Sequence, residues 1–358
     1  MRIGMISPYS LTVPGGVQGQ ILGLARAIRA RGESVRVLGP CDGPPPEPFV
    51  TPLGNSIPTG ANGSVAPIAP DPAAQLRTIR ALRDEDFDVL HLHEPMAPGP
   101  TMTALLLKPA PVVATFHAAG SSLAYEVFKP LTSRGSHRIN RRFAVSDDAR
   151  LLAEAALGGA YEIVFNGVEV ARFRSIPPRK AEGPTIFFVA RHEDRKGLEV
   201  LLDAFNDLPS ETMLWVGGVG PQTVDLQRRF AGDPRIDWLG ELDESEKIAC
   251  MRGADVFCAP SLGGESFGIV LLEAMAAETA VVASDLPGYA KVTRDGRDAE
   301  LVEPGNAPAL AASLRAVLSD RTRRDELVAS GAERVLDFSM RRLSGIYLDA
   351  YRSLVGSA

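Results

Sequence analysis

Short apolar runs that close on Gly, Pro, Ser or His alternate with segments of helical periodicity from end to end, the pattern of parallel strands covered by helices. The expected fold class is therefore α/β, doubly wound. In the first half, residues 3–7, 35–38, 89–93, 112–117, 143–146 and 163–165 read as strands. Between the first two, Ile21, Leu24, Ala25 and Ile28 form one stripe of a helix over about residues 17–31 that ends at Gly32. The stretch 40–72 is proline-rich and apolar only around 65–68, too long for an ordinary connection, and reads as a functional loop region.

The strand pattern stops near Asn166-Gly167-Val168, and the proline-bearing stretch 175–184 reads as a linker. Strands then resume at 186–190, 213–216, 236–239, 256–259 and 280–283. Two α/β domains are expected, 1–170 and 171–339, as suits a chain of 358 residues. A last helix follows over 339–355, with Leu343, Ile346, Tyr347 and Ala350 on its apolar stripe.

Composition narrows the choice of partner. With 38 basic and 44 acidic residues the net charge is -6, which removes the long-range attraction of a nucleic-acid binder. Cys41, Cys250 and Cys258 are odd in number and lack Cys-x-x-Cys spacing, so a reducing compartment is expected rather than a disulfide framework or a zinc ribbon. Met1 runs into a strand pattern with no leader-like apolar segment, and no run of about eighteen apolar residues occurs. The expected location is cytoplasmic, with any membrane contact peripheral. A helix over about 73–83 puts Leu76, Ile79 and Leu82 on one stripe beside Arg77, Arg80 and Arg83. That arrangement suits a membrane-surface helix, or one packed on its own sheet. Arg134, His137, Arg138, Arg141 and Arg142 form a second basic group, read either as a site for anionic headgroups or as a charged face.

Ligands of doubly wound sheets bind beyond the carboxyl ends of the strands, and two such domains facing one another would make a cleft there. Pro14-Gly15-Gly16-Val17 follows the first strand and opens the first helix, so its backbone N–H groups could approach a diphosphate, although a plain tight turn has the same residues. Arg191 and Lys196 lie between the first strand of the second domain and a helix, where cations could grip a departing nucleoside diphosphate. A solvated loop is the competing explanation. In the segment 263–276, Glu265 lies in a glycine-rich loop, free to accept hydrogen bonds from sugar hydroxyls, while Glu273 lies within an apolar helical run. A carboxylate placed there is costly unless it meets hydroxyl donors such as a ribose. His117 closes a strand at its carboxyl end, as a site residue or a structural one. His91 and His93 share one strand face without a third metal ligand.

Together, Pro-Gly-Gly-Val-Gln at 14–18, His-Glu-Pro at 93–95, Thr-Phe-His at 115–117, Arg191 with Lys196, and the segment from Gly263 to Glu273 resemble the family-4 retaining glycosyltransferases of the GT-B fold. The resemblance spans the chain and implies that the last helix, 340–358, crosses back to complete the N-terminal domain. It implies mannose transfer from GDP-mannose to phosphatidyl-myo-inositol at the inner face of the cell membrane, without a metal or other cofactor. Arg191 and Lys196 would hold the diphosphate, Glu265 the sugar, Glu273 the ribose and Gly16 the transferring phosphate, with Ser266, Phe267, Gly268 and Ile269 completing the donor site. His117 would lie by the reacting sugar carbon. Tyr9, Gln18, Asn62 and Ser64 stand at the family's acceptor and membrane-contact positions, whereas Pro67, Met96 and Ala118-Ala119-Gly120 depart from its pattern. A glycosyltransferase with another nucleotide sugar or another lipid or polyol acceptor is the alternative within the class. A dinucleotide-dependent oxidoreductase is the alternative outside it, opposed by Thr223, which stands where the fingerprint begun at Gly218-Val219-Gly220 needs glycine.

Overall fold

The computed structural model describes residues 1–61, 64–118, 136–265 and 267–356, with the backbone alone at 60, 61, 64 and 65. The chain divides into two compact units, Met1–Gly167 with Met340–Ala358, and Val168–Ser339. The division falls three residues before the expected one and returns the last helix to the first unit.

In the first unit the strands are β1 (Arg2–Ile6), β2 (Ser34–Gly39), β3 (Val50–Pro52), the hairpin β4 (Ile57–Ala61) and β5 (Ser64–Ile68), then β6 (Val89–His93), β7 (Val112–Phe116), β8 (Arg141–Ala144) and β9 (Glu162–Ile163). All but the hairpin join one parallel sheet ordered β3-β2-β1-β6-β7-β8-β9. The sheet is buried on both faces, so every position of β6 and β7 is buried, the polar His91, His93 and Thr115 included. Against one face the helix Gly16–Arg29 buries Ile21, Leu24, Ala25 and Ile28, beside Leu343, Tyr347 and Tyr351 of the C-terminal helix Met340–Val355. Ile346, grouped with that stripe from the sequence, instead faces outward.

The stretch 40–72 is more structured than a loop. It contributes β3 at the sheet edge and the antiparallel hairpin β4–β5. Proline is compatible with both positions because an edge strand and a two-stranded ribbon leave N–H positions that need no partner.

The second unit holds β10 (Thr185–Val189), β11 (Met213–Gly217), β12 (Ile236–Gly240), β13 (Val256–Ala259), β14 (Ala280–Ser284) and β15 (Glu300–Val302), all parallel and ordered β12-β11-β10-β13-β14-β15. In both sheets the order reverses beside the unit's first strand, at β1/β6 and at β10/β13. Loops leaving neighbouring strands diverge there, which opens a crevice beyond the carboxyl ends.

Candidate active site

At the β10/β13 reversal, one loop carries Arg191 to Lys196 and the other Gly263 to Gly268. Leu262 N–H donates to Arg195 O at 2.8 Å and stitches them together. The first loop closes in a single turn, Asp194–Lys196, ending on Gly197 at φ +68°. A Cβ at Gly197 would sit 1.9 Å from Pro260 O, so only glycine lets this turn approach the end of β13. Lys196 Nζ consequently meets Glu265 Oε1 at 2.5 Å, with Arg195 Nη1 and Ser261 Oγ each 3.3 Å from the same oxygen. Arg195 Nε also pairs with Glu193 at 2.7 Å. Arg191 remains 59% exposed, its Nε 3.8 Å from Glu193. Gly268 (φ +86°) lies against the Tyr289 ring, and from it springs the helix Ile269–Ala276, whose first turn has neither a side-chain cap nor an acidic residue. Phe267 is buried edge-on to Phe338, while Ser266 lies outside the described residues.

Glu273, on this helix, is satisfied differently from expectation. Lys247 Nζ, on the helix Glu244–Gly253, stands 3.0 Å from Glu273 Oε1 and 3.1 Å from Glu244. Burial raises the pKa of Glu273 and the lysine opposes the rise. Burial also works against the charge on Lys247, but Glu273 and Glu244 outweigh it and hold the ammonium above its ordinary range. A ribose is therefore not required to satisfy Glu273. Nothing in the spacing of the chain pointed to Lys247, because its partner lies twenty-six positions away.

At the β1/β6 reversal, Gly16 opens the first helix behind Gly15, again without a side-chain cap or an acidic first turn. A Cβ on Gly16 would meet no atom within 4 Å, so the fold itself does not require glycine there. Gln18 is buried, with its amide 3.4 Å from Ser10 O. Tyr9 bridges to Ile68 of β5 and Ser10 N–H donates to Pro67 O at 2.8 Å, which moors the hairpin beside the β1 loop. Burial, and then the charge of Glu94, push the Tyr9 hydroxyl well above its usual pKa. Ser64 opens β5, and Asn62 lies outside the described residues, as do Ala119 and Gly120.

His117 follows β7 beside the end of β6, and its Nε2 is 2.9 Å from His93 Nδ1. Burial lowers its pKa to about 4, so the ring is neutral near pH 7. Glu94, given no role from the sequence, uses Oε1 to accept the backbone N–H of Ala118 at 2.5 Å and that of His117. Its backbone sits at φ +48°, a conformation an L-residue takes at a cost that the two charge-assisted bonds offset. Its place in His-Glu-Pro, just past a strand end, was the available signal. Of the second basic group, Arg138, Arg141 and Arg142 bond to Leu105 O, Glu162 and Gly158 O respectively, and His137 is exposed; Arg134 lies outside the described residues.

The profile for Glycosyltransferase Family 4 matches residues 14–172, and that for Glycosyl transferases group 1 matches residues 170–334. The protein is a glycosyltransferase. A phosphatidyl-myo-inositol mannosyltransferase of Mycobacterium leprae is 44% identical over 100% of this chain and 98% of its own length. One of Propionibacterium freudenreichii is 35% identical over 91% and 89%. This chain belongs to the phosphatidyl-myo-inositol mannosyltransferase family. Among solved structures, sucrose-phosphate synthase from Thermosynechococcus elongatus matches with a TM-score of 0.73 at 19% identity, covering 100% of both chains. The Anabaena protein HepE, in complex with UDP and glucose, matches with 0.73 at 18% identity, covering 99% and 100%. Both share the GT-B fold with this chain.

Proposed function

We propose that this protein transfers mannose from GDP-mannose to phosphatidyl-myo-inositol at an anionic membrane surface, with retention of configuration. The observation that carries the proposal is the Lys196–Glu265 pair at the β10/β13 reversal, in a chain 44% identical to a mannosyltransferase of that name. As the bond to the sugar breaks, negative charge grows on the leaving diphosphate, and cations already in place stabilise that charge without reorganising. Lys196 is oriented by Glu265, while Arg191 is open to solvent and the uncapped first turn of Ile269–Ala276 presents backbone N–H groups. These groups supply the positive charge that a metal would otherwise bring, so neither metal nor cofactor is invoked. Chelator should leave turnover unchanged. Incubated with phosphatidylinositol vesicles, the enzyme is expected to incorporate labelled mannose from GDP-mannose and nothing from UDP-glucose. Absence of incorporation from GDP-mannose, or equal incorporation from UDP-glucose, would refute the proposal.

Support for the membrane surface comes from the helix Pro72–Asp84. Packing against the unit is accomplished by Ala74, Thr78 and Leu82, so of the stripe expected from the sequence only Leu82 is buried. Leu76 and Ile79 are 67% and 40% exposed, next to Arg80 and Arg83 whose side chains are 79% and 77% exposed. Apolar anchors flanked by arginines suit the boundary between headgroups and acyl chains, and no described helix is long and apolar enough to cross a membrane. Each juxtamembrane arginine is worth about 1 kcal/mol on an anionic surface. Replacing Arg80 and Arg83 by Ala should therefore lower partitioning into anionic vesicles about 30-fold in a flotation assay while GDP binding is retained. Unchanged partitioning would rule the helix out as the contact.

A further inference from the structure

His91 and His93, which the metal argument left without a role, are both buried on the same side of β6 with ring centroids 4.3 Å apart. His91 uses both nitrogens, Nδ1 to Tyr351 Oη at 2.7 Å and Nε2 to Thr115 Oγ1 at 2.8 Å. His93 uses one. Its Nδ1 meets His117 Nε2 at 2.9 Å, the two rings stacked at 5.2 Å, and its Nε2 is buried without a hydrogen-bond partner among the described residues.

We propose that His93 is a positioning residue that sets the tautomer of His117: His93 Nδ1–H donates to His117 Nε2, which leaves the single proton of neutral His117 on Nδ1. In the contact between two neutral imidazoles one ring must donate. Were His117 the donor, His93 would have to carry its own proton on Nε2, where it would be a buried N–H with no acceptor among the described residues. Unpaired buried N–H groups are rarer and costlier than unpaired acceptors. Water offers little relief. The adjoining space of about 10 Å³ is at the lower bound for one molecule. Of the polar side chains that line it with Asn166, Gln20 is bonded through both amide atoms to Gly167, and Thr115 is bonded to His91 and Tyr347. The low pKa of His117 fits a ring that stays neutral, for which the tautomer is the remaining variable.

Resting on the placement of His117 at the sugar, the consequence is that His117 offers an Nδ1–H to a substrate oxygen rather than a bare nitrogen. The ring of His93 is held in turn against His91, which Tyr351 of the C-terminal helix fixes. Orientation of a functional imidazole by the group on its other nitrogen is the usual way its chemistry is set.

The test is two-bond ¹H–¹⁵N correlation of the full-length protein labelled at histidine, with the His117 signal assigned by its loss in His117→Gln. The expected spectrum has His117 protonated on Nδ1. That state should be lost in His93→Leu and kept in His93→Asn, whose side-chain N–H replaces the Nδ1 donor. Mannosyl transfer should follow, with kcat down about 10- to 100-fold in His93→Leu, KM for the donor little changed, and His93→Asn near the parent. A parent spectrum with the proton on Nε2, or an Nδ1 proton that survives His93→Leu, overturns the proposal. Should His93→Leu fail to fold, the parent and His93→Asn spectra still decide. If the spectra are as expected while His117→Gln transfers mannose at the parent rate, tautomer control stands and the placement of His117 at the sugar falls.

Discussion

Lys196→Ala is expected to lower kcat for mannosyl transfer by about two to three orders of magnitude, the loss typical when one preorganised charge-stabilising donor is removed. The ammonium lies 2.5 Å from Glu265, and this anchoring is what prepares it. A charge held in place before the reaction is stabilising in the transition state at no cost of reordering. Stability should change little, since Glu265 keeps Arg195 and Ser261 as partners at 3.3 Å after the lysine is gone. Steady-state kinetics beside a thermal melt separates the two effects. A fall in kcat below ten-fold with the fold intact would remove Lys196 from the chemistry. Lys196→Arg should recover only part of the rate, because the longer planar guanidinium does not place its charge where the ammonium stood.

The second large effect concerns stability. Tyr351 is fully buried, stacks near Tyr347, and joins the C-terminal helix to the sheet through its hydroxyl and His91 Nδ1 at 2.7 Å. Tyr351→Ala removes a large aromatic from the core and strips a buried ring nitrogen of its partner, for an expected loss of about 3–5 kcal/mol. Tyr351→Phe keeps the ring and loses only the hydrogen bond, for about 1–3 kcal/mol. Because the chain forms two compact units, chemical denaturation should resolve the damage in the transition of 1–167 with 340–358, leaving that of 168–339 in place. Equal movement of both transitions, or a Tyr351→Phe variant as weak as Tyr351→Ala, would contradict this account of the helix.

The strands were legible wherever burial on both faces turned them into short, mainly apolar runs, unbroken at β13 and through Ala283 of β14, and interrupted by His or Thr at β6 and β7. β3 and the β4–β5 hairpin were not, since an edge strand and an isolated ribbon carry no such run and their prolines read as loop. The stripe of the first helix was legible because four apolar positions recur at helical spacing and all four are buried. In the helix Pro72–Asp84 the expected stripe is split, with Leu82 buried and the other two positions exposed. Small Ala74 and Thr78 pack against the unit where close approach is needed, and Leu76 and Ile79 turn outward. Periodicity reports that a helix is amphipathic. It does not report which apolar side chain finds a partner.

Residue types and their positions along the chain determined the α/β class, the two-unit division, and the loops that carry Gly16, His117, Arg191, Lys196 and Glu265, because strand runs, helix stripes and loop-closing glycines are local features. Only the tertiary structure decided which partner each charge or ring would meet: Lys196 with Glu265, Glu273 with Lys247, His117 with His93 and Glu94, His91 with Tyr351. Those pairs join residues from 23 to 260 positions apart. They are set by strand order and by the scarcity of polar partners in a dry interior, neither of which is written in any short stretch of sequence.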